Sequence, residues 1–200
     1  MYKKQMKIQK IVCLLCVAAG ALVFLYALGM MTDLYDMLYT MIPDPSDPSS
    51  TKVEGAIIYY DMQGFNRTLL RAGIGLILLA VALLVTNTHT RRRYYIANYI
   101  AVGLFSAGSI AAAVWAHGRI AAFKTQYLTT VDFENLQRRL SRAGTYTDST
   151  FWFDIHLFVF AVLLVVTVLL ILNTLWKIRL MQQEKTLVAE GQAAGKAVSA

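Results

Sequence analysis

"FWFDIHLFVFAVLLVVTVLLILNTLW", residues 151–176, decides the fold, because from Ile155 to Trp176 it contains no lysine, arginine, aspartate or glutamate. About 20 predominantly apolar residues suffice for a helix to cross a hydrocarbon core roughly 30 Å thick. Trp152 and Trp176 lie 24 residues apart, about 36 Å along a helix at 1.5 Å per residue. Tryptophan favours the boundary between headgroups and hydrocarbon, so the two rings mark both ends of a full crossing. The stretch is read as a transmembrane helix.

Three further runs meet the same test: 11–31, 68–86 and 94–116. The run at 11–31 exceeds the 7–15 apolar residues of a signal-peptide core and is expected to be retained. A chain of 200 residues that is 57% hydrophobic has the composition of an integral membrane protein. The fold class expected is therefore an all-α membrane protein, a bundle of four transmembrane helices. The spans divide the chain into a basic N-terminus (1–10), an outer loop (32–67), a short cytoplasmic loop (87–93), a second outer loop (117–150) and a cytoplasmic tail (177–200).

The net charge of +7 does not point to nucleic acid, since the cations gather beside the apolar runs and orient the chain. "MYKKQMKIQK" at 1–10 has four lysines and no acid, and "THTRRRYY" at 88–95 has three arginines and no acid. Both belong on the cytoplasmic side, giving an N-in, C-in protein. The first outer loop agrees, with six acids against Lys52 and Arg67; the second, with Arg119, Lys124, Arg138, Arg139 and Arg142 against three acids, does not.

Cys13 and Cys16 both lie within the first span, so the loops hold no disulfide, which points to a bacterial plasma membrane. Their C-x-x-C spacing lacks neighbouring ligands and reads as two small apolar residues on a helix face. Four spans with two outer loops are similar in outline to tetraspanins and claudins. The loop cysteines and tryptophan-containing motifs of those families are absent, and the chain is assigned to no family.

Both outer loops are too long to be simple turns, which predicts a small extracytoplasmic cap. The segment 42–50, "IPDPSDPSS", holds all three prolines and is expected to be stiff and extended. After it, "KVEGAIIYYDMQGFN" has the composition of a short strand. In "TTVDFENLQRRLSRAG", Phe133, Leu136 and Leu140 share a helical face, Thr130 or Asp132 can cap it and Gly144 can end it, predicting a short amphipathic helix.

Ionisable residues inside membrane spans are the first place to look for function. Arg71 and Asp154 each stand about one turn inside the outer end of a span; either an Arg71–Asp154 ion pair acts as a structural clamp, with Asp33 and Asp36 the alternative partners of Arg71, or Arg71 snorkels to the headgroups without a fixed partner. At 100° per residue Arg71 shares a face with Gly75, Leu78, Ala82 and Thr86, whose small residues suit helix packing. In span three, Gly103, Ala107 and Ala111 form one small-residue row, and Gly108, Ala112 and Ala116 form another, as expected of a helix gripped on two sides. His156 lies about 200° from Asp154, which excludes an acid–base pair within the helix, and shares a stripe with Thr167 and Thr174. With His117 these form a possible polar interface. Two histidines without a third ligand do not make a metal site, so no metal and no cofactor are expected.

No H-E-x-x-H, G-x-S-x-G or Walker loop occurs, so no enzyme is expected. No span contains proline, and mid-membrane charges are lacking, unlike most secondary transporters. The function expected is a non-enzymatic accessory or scaffold subunit of a larger bacterial membrane complex, its partners the lipid bilayer and other membrane subunits or further copies of itself. The alternative is a small oligomeric transporter or channel.

Overall fold

In hydrocarbon every backbone amide and carbonyl must be satisfied within the chain, so an apolar run of spanning length forms a helix. The computed structural model describes residues 2–39, 47, 50–88, 95–140 and 150–198. These form α1 (Tyr2–Tyr39), α2 (Ile58–Thr88), α3 (Tyr95–Thr130), α4 (Phe133–Leu140) and α5 (Phe151–Val198). Four are long and apolar enough to cross a membrane, over Lys4–Met31, Tyr60–Asn87, Ile96–Thr130 and Phe151–Gln192. The described chain is all-helical and has the makings of a multi-pass membrane protein. The prolines at 43, 45 and 48, Arg91–Arg93, Arg142 and Gly144 lie outside the described residues, as do the side chains of Asp33 and Asp36.

The helices overrun the apolar stretches that reveal them. α2 begins ten residues before Thr68, and the strand expected around Ile57–Tyr60 is not formed; residues 53–57 turn and the helix starts at Ile58. The reason is a helical period hidden in a composition rich in β-formers. Ile58, Met62, Phe65 and Leu69, spaced four, three and four apart, are all buried and draw this segment into the bundle.

α1 packs against α2 and α5, and α3 packs against the same two helices, which leaves α2 and α5 on a diagonal of the bundle. The start of α1, the end of α5 and the α2–α3 connection share one end of the bundle, the terminal end; the two long connections share the other, the loop end. α1 and α2 meet most closely at glycines. A Cβ on Gly73 would lie 2.9 Å from Phe24 Cα, and one on Gly20 would lie 3.1 Å from the backbone nitrogen of Ile77. Toward the loop end aromatic rings fill the interior: Tyr26 meets Phe160 edge-on with centroids 6.3 Å apart, and Tyr127 lies 5.2 Å from Phe153. Leu78, Val114 and Phe158 stand exposed on the perimeter.

The two long connections meet. Asp132 donates its backbone N–H to the Glu54 carbonyl at 3.1 Å, and Asn135 Nδ2 donates to the Lys52 carbonyl at 3.4 Å. Gly55, at φ 78°, permits this approach, because a Cβ there would fall 2.1 Å from the Thr130 carbonyl oxygen. Asp132 caps α4 by accepting the Asn135 N–H at 3.0 Å, and Leu136 is buried beneath it.

Candidate functional site

At the start of α5, Thr150 accepts the backbone N–H groups of Phe153 and Asp154 at 2.9 and 3.0 Å, while its hydroxyl donates to Asp154 Oδ2 at 2.6 Å. A carboxylate in this first turn also complements the helix dipole. The other oxygen, Oδ1, accepts from Lys124 Nζ of α3 at 2.6 Å. The expected Arg71–Asp154 clamp is therefore corrected to Lys124–Asp154. Arg71 is exposed on α2, which lies diagonally across from α5, and it forms no ion pair among the described residues. Position within a span and angle on a helix wheel do not say which helices are neighbours. Since Lys124 and Asp154 are themselves 34% and 48% exposed, their pair is worth at most about 1 kcal/mol. Arg71→Leu should leave the unfolding midpoint in detergent within measurement error, with Lys124→Met only slightly lower; a large loss from Arg71→Leu would restore the clamp.

Close by, the same two helices bring the histidines together. His117 Nδ1 and His156 Nε2 are 2.9 Å apart, with ring centroids at 5.2 Å. His156 is buried, and its Nδ1 faces the Phe153 carbonyl. A carbonyl accepts only, so that nitrogen carries the proton, Nε2 is the acceptor, and His117 Nδ1 donates to it. Both facing nitrogens are thereby committed, and the accepting position left over is Nε2 of the exposed His117. The pair can share a proton between its facing nitrogens, but the Phe153 carbonyl ends the chain, and as arranged the pair does not turn two lone pairs toward one ion. Among the described residues no group of three or more His, Cys, Asp or Glu is placed to hold a metal.

Thr167 and Thr174, expected to bond across the same interface, instead donate to Leu163 and Leu170 carbonyls of their own helix, each at 2.8 Å. The carbonyl four residues back is always within reach of a helical threonine, and it wins.

The small residues divide in two. Gly108 faces α2, where a Cβ would lie 3.7 Å from Leu76 Cδ2, with Ala112 half-buried and Ala116 buried beside it. Gly103, Ala107 and Ala111 look outward, all three exposed, and nothing lies within 4 Å of a Cβ built on Gly103. On α2, Gly75 is equally open and Ala82 is exposed, so the Arg71 stripe is not the packing face of α2 within the chain. That face carries Leu69, Gly73, Leu76, Ala80 and Leu83.

Sequence reasoning missed a polar interior at the terminal end. Gln5 Nε2 donates to Gln9 Oε1 at 2.7 Å, and Gln9 Nε2 donates to Asn87 Oδ1 at 2.6 Å. Asn87 Nδ2 in turn donates to the Leu83 carbonyl at 2.7 Å and reaches Cys13 Sγ at 3.5 Å. Asn98 of α3 and Asn173 and Lys177 of α5 are buried as well. A usable signal existed: Gln5 and Gln9 continue the stripe of Cys13 and Cys16 backwards at helical spacing.

A search of protein-family models, curated proteins and solved structures finds no match to this chain. Its function has to be argued from its own residues.

Proposed function

We propose that this protein is a non-enzymatic accessory subunit of a larger bacterial plasma membrane complex, inserted N-in and C-in, which docks a partner's transmembrane helix along α3. The observation that carries this is the outward row of Gly103, Ala107 and Ala111, exposed on a membrane-spanning helix with no side chain against Gly103. Lipid tails solvate leucine as well as another helix does, so helices associate in a bilayer where small residues let backbones come close. A row of this kind facing away from the chain's own bundle suits a helix from elsewhere. The lysines of residues 1–10 support the orientation, and the joined segments around Glu54 and Asp132 would then form an extracytoplasmic cap.

Purification in mild detergent should yield stoichiometric membrane partners, and Gly103→Leu with Ala107→Leu should reduce their recovery about tenfold, the effect of about 1.4 kcal/mol. The double variant's own thermal stability should not fall, because Ala107 is exposed and, among the described residues, nothing lies within 4 Å of a Cβ on Gly103. A lone monomer from the wild type would overturn the reading. The second reading, a small oligomeric transporter or channel, is favoured by the buried polar side chains at the terminal end. Solute or ion flux through the purified protein in liposomes would replace the first reading with it.

A further inference from the structure

The Arg71 stripe of α2, which the bundle leaves unused, starts one turn earlier with a second arginine. Arg67 and Arg71 are both exposed, and among the described residues neither forms an ion pair or a side-chain hydrogen bond. Asp61, the only acid of α2, accepts from Gln126 of α3 at 3.1 Å and so is turned to a neighbouring helix. At 100° per residue the two arginines flank the direction of Leu78, which is 65% exposed. Gly73 and Leu76, on the other side of α2, meet Phe24 of α1 and Gly108 of α3. Both arginines therefore face lipid.

Two tryptophans fix their depth. The Phe65 ring lies 5.1 Å from that of Trp115 on α3. The contacts of Phe24 with Gly73 and of Gly20 with Ile77 run α1 and α2 antiparallel, which sets Thr68 level with Gly29, the residue on which Trp152 packs. Tryptophan marks the boundary between headgroups and hydrocarbon, so that boundary meets α2 near residues 65–68. Arg67 stands in it, and Arg71 is four residues, about 6 Å, nearer mid-membrane. Helical side chains lean toward the helix N-terminus, which for α2 is the loop end, so the Arg71 guanidinium is carried up over the turn that holds Arg67. Gly64 leaves that turn uncovered, being exposed with nothing within 4 Å of a Cβ. The Thr68 hydroxyl is spent on the Gly64 carbonyl at 2.8 Å. Two permanent cations thus converge on one open spot at headgroup depth.

We propose that Arg67 and Arg71 together hold the phosphate of an anionic phospholipid in the leaflet at the loop end. The planar guanidinium forks match phosphate oxygens and never lose their charge, and the low dielectric at the edge of the hydrocarbon strengthens the pairing. A zwitterionic lipid offers the same phosphate but brings its own cation beside the two arginines, so a headgroup of net negative charge fits the site better. Below the phosphate, Ile74 and Leu78 are exposed and nothing lies within 4 Å of a Cβ on Gly75, a notch that seats the start of an acyl chain. This surface is on α2 and is separate from the α3 row proposed for a partner helix.

The test is native mass spectrometry of the full chain in nonionic detergent, titrated with dioleoyl phosphatidylglycerol or with dioleoyl phosphatidylcholine. One basic residue near a charged membrane surface contributes about fivefold in affinity, and two act here. The wild type should therefore bind its first phosphatidylglycerol at least about tenfold more tightly than phosphatidylcholine. Arg67→Gln with Arg71→Gln should lose that tenfold, while its unfolding midpoint in lipid-free detergent stays that of the wild type. Gly64→Glu keeps both arginines but sets a carboxylate beside them, and it should weaken phosphatidylglycerol binding likewise; should the double variant fail to fold, this variant decides alone. Arg138→Gln with Arg139→Gln removes the same charge from the exposed side of α4 and should bind as the wild type does. Unchanged binding in either α2 variant, an equal loss from the α4 pair, or equal affinity for the two lipids would overturn the proposal.

Discussion

Gly73→Leu lowers the unfolding midpoint of the purified protein by roughly 2–8 °C net, and Gly75→Leu does not. The two positions are two residues apart on α2, and both substitutions gain the same helix propensity, worth about 1 kcal/mol over glycine. Only the surroundings differ. A Cβ at Gly73 meets the α1 backbone itself, 2.9 Å from Phe24 Cα and 3.0 Å from Phe24 N, whereas a Cβ at Gly75 meets nothing within 4 Å. Backbone cannot swing aside as a side chain does, so the two helices must separate, and overpacking of this kind costs about 2–3 kcal/mol. At about 2–4 °C per kcal/mol for a chain of this size, the loss is readily seen in a thermal melt. Equal midpoints for the two variants would show that α1 and α2 do not cross at Gly73.

The second large effect is expected at the terminal end. Asn87→Leu removes the acceptor of Gln9 Nε2, bonded at 2.6 Å, and the donor to Cys13. Gln9 is fully buried, so its amide is left without that partner, at a cost of about 1–2 kcal/mol. Gln9→Leu alone should cost a similar amount. The double variant should lose less than the sum, because the first substitution has already broken the bond that the second would remove. Measured as a double-mutant cycle in detergent, additivity within about 0.3–0.5 kcal/mol would mean that the two side chains are not coupled.

The sequence alone read both glycines of "RAGIGLI", Gly73 and Gly75, as packing glycines without telling them apart, and it did not single out Gln9 or Asn87; the reason is physical. Long uncharged runs announce membrane helices because nothing else of that length is stable in lipid. The spans were therefore legible at Ile155–Trp176 and its three counterparts. A helix wheel, by contrast, ranks the faces of one helix without knowing its neighbours. It favoured the stripe of Arg71 and Gly75, while the bundle uses the face of Gly73. Position along the spans set Asp154 level with Arg71, but the cation within reach, Lys124, sits in a segment read as outer loop that is the last part of α3. The histidines were each seen near a boundary, and only the α3–α5 contact places them 2.9 Å apart.

The polar interior escaped for a different reason. Gln5 and Gln9 lie in a stretch read as a basic terminus, Asn87 in a short loop and Lys177 in a tail, because apolar windows end where polar residues begin. The helices do not end there. α1 starts at Tyr2 and α5 continues to Val198, so residues that look like flanks are carried into the bundle by the helical repeat. The clue was periodicity crossing the edge of the hydropathy window, as Gln5, Gln9, Cys13 and Cys16 do.

The neighbour relation between α1 and α5 imposes a schedule on biosynthesis. Tyr26 donates its hydroxyl to the Trp152 carbonyl at 2.9 Å across 126 residues of chain. At about 5–20 residues per second, synthesis of that interval takes roughly 6–25 s. Within that time α2 is made and can join α1, while the flank α1 will give to α5 stays open throughout, a delay long enough for a chaperone or an assembly partner to reach it first.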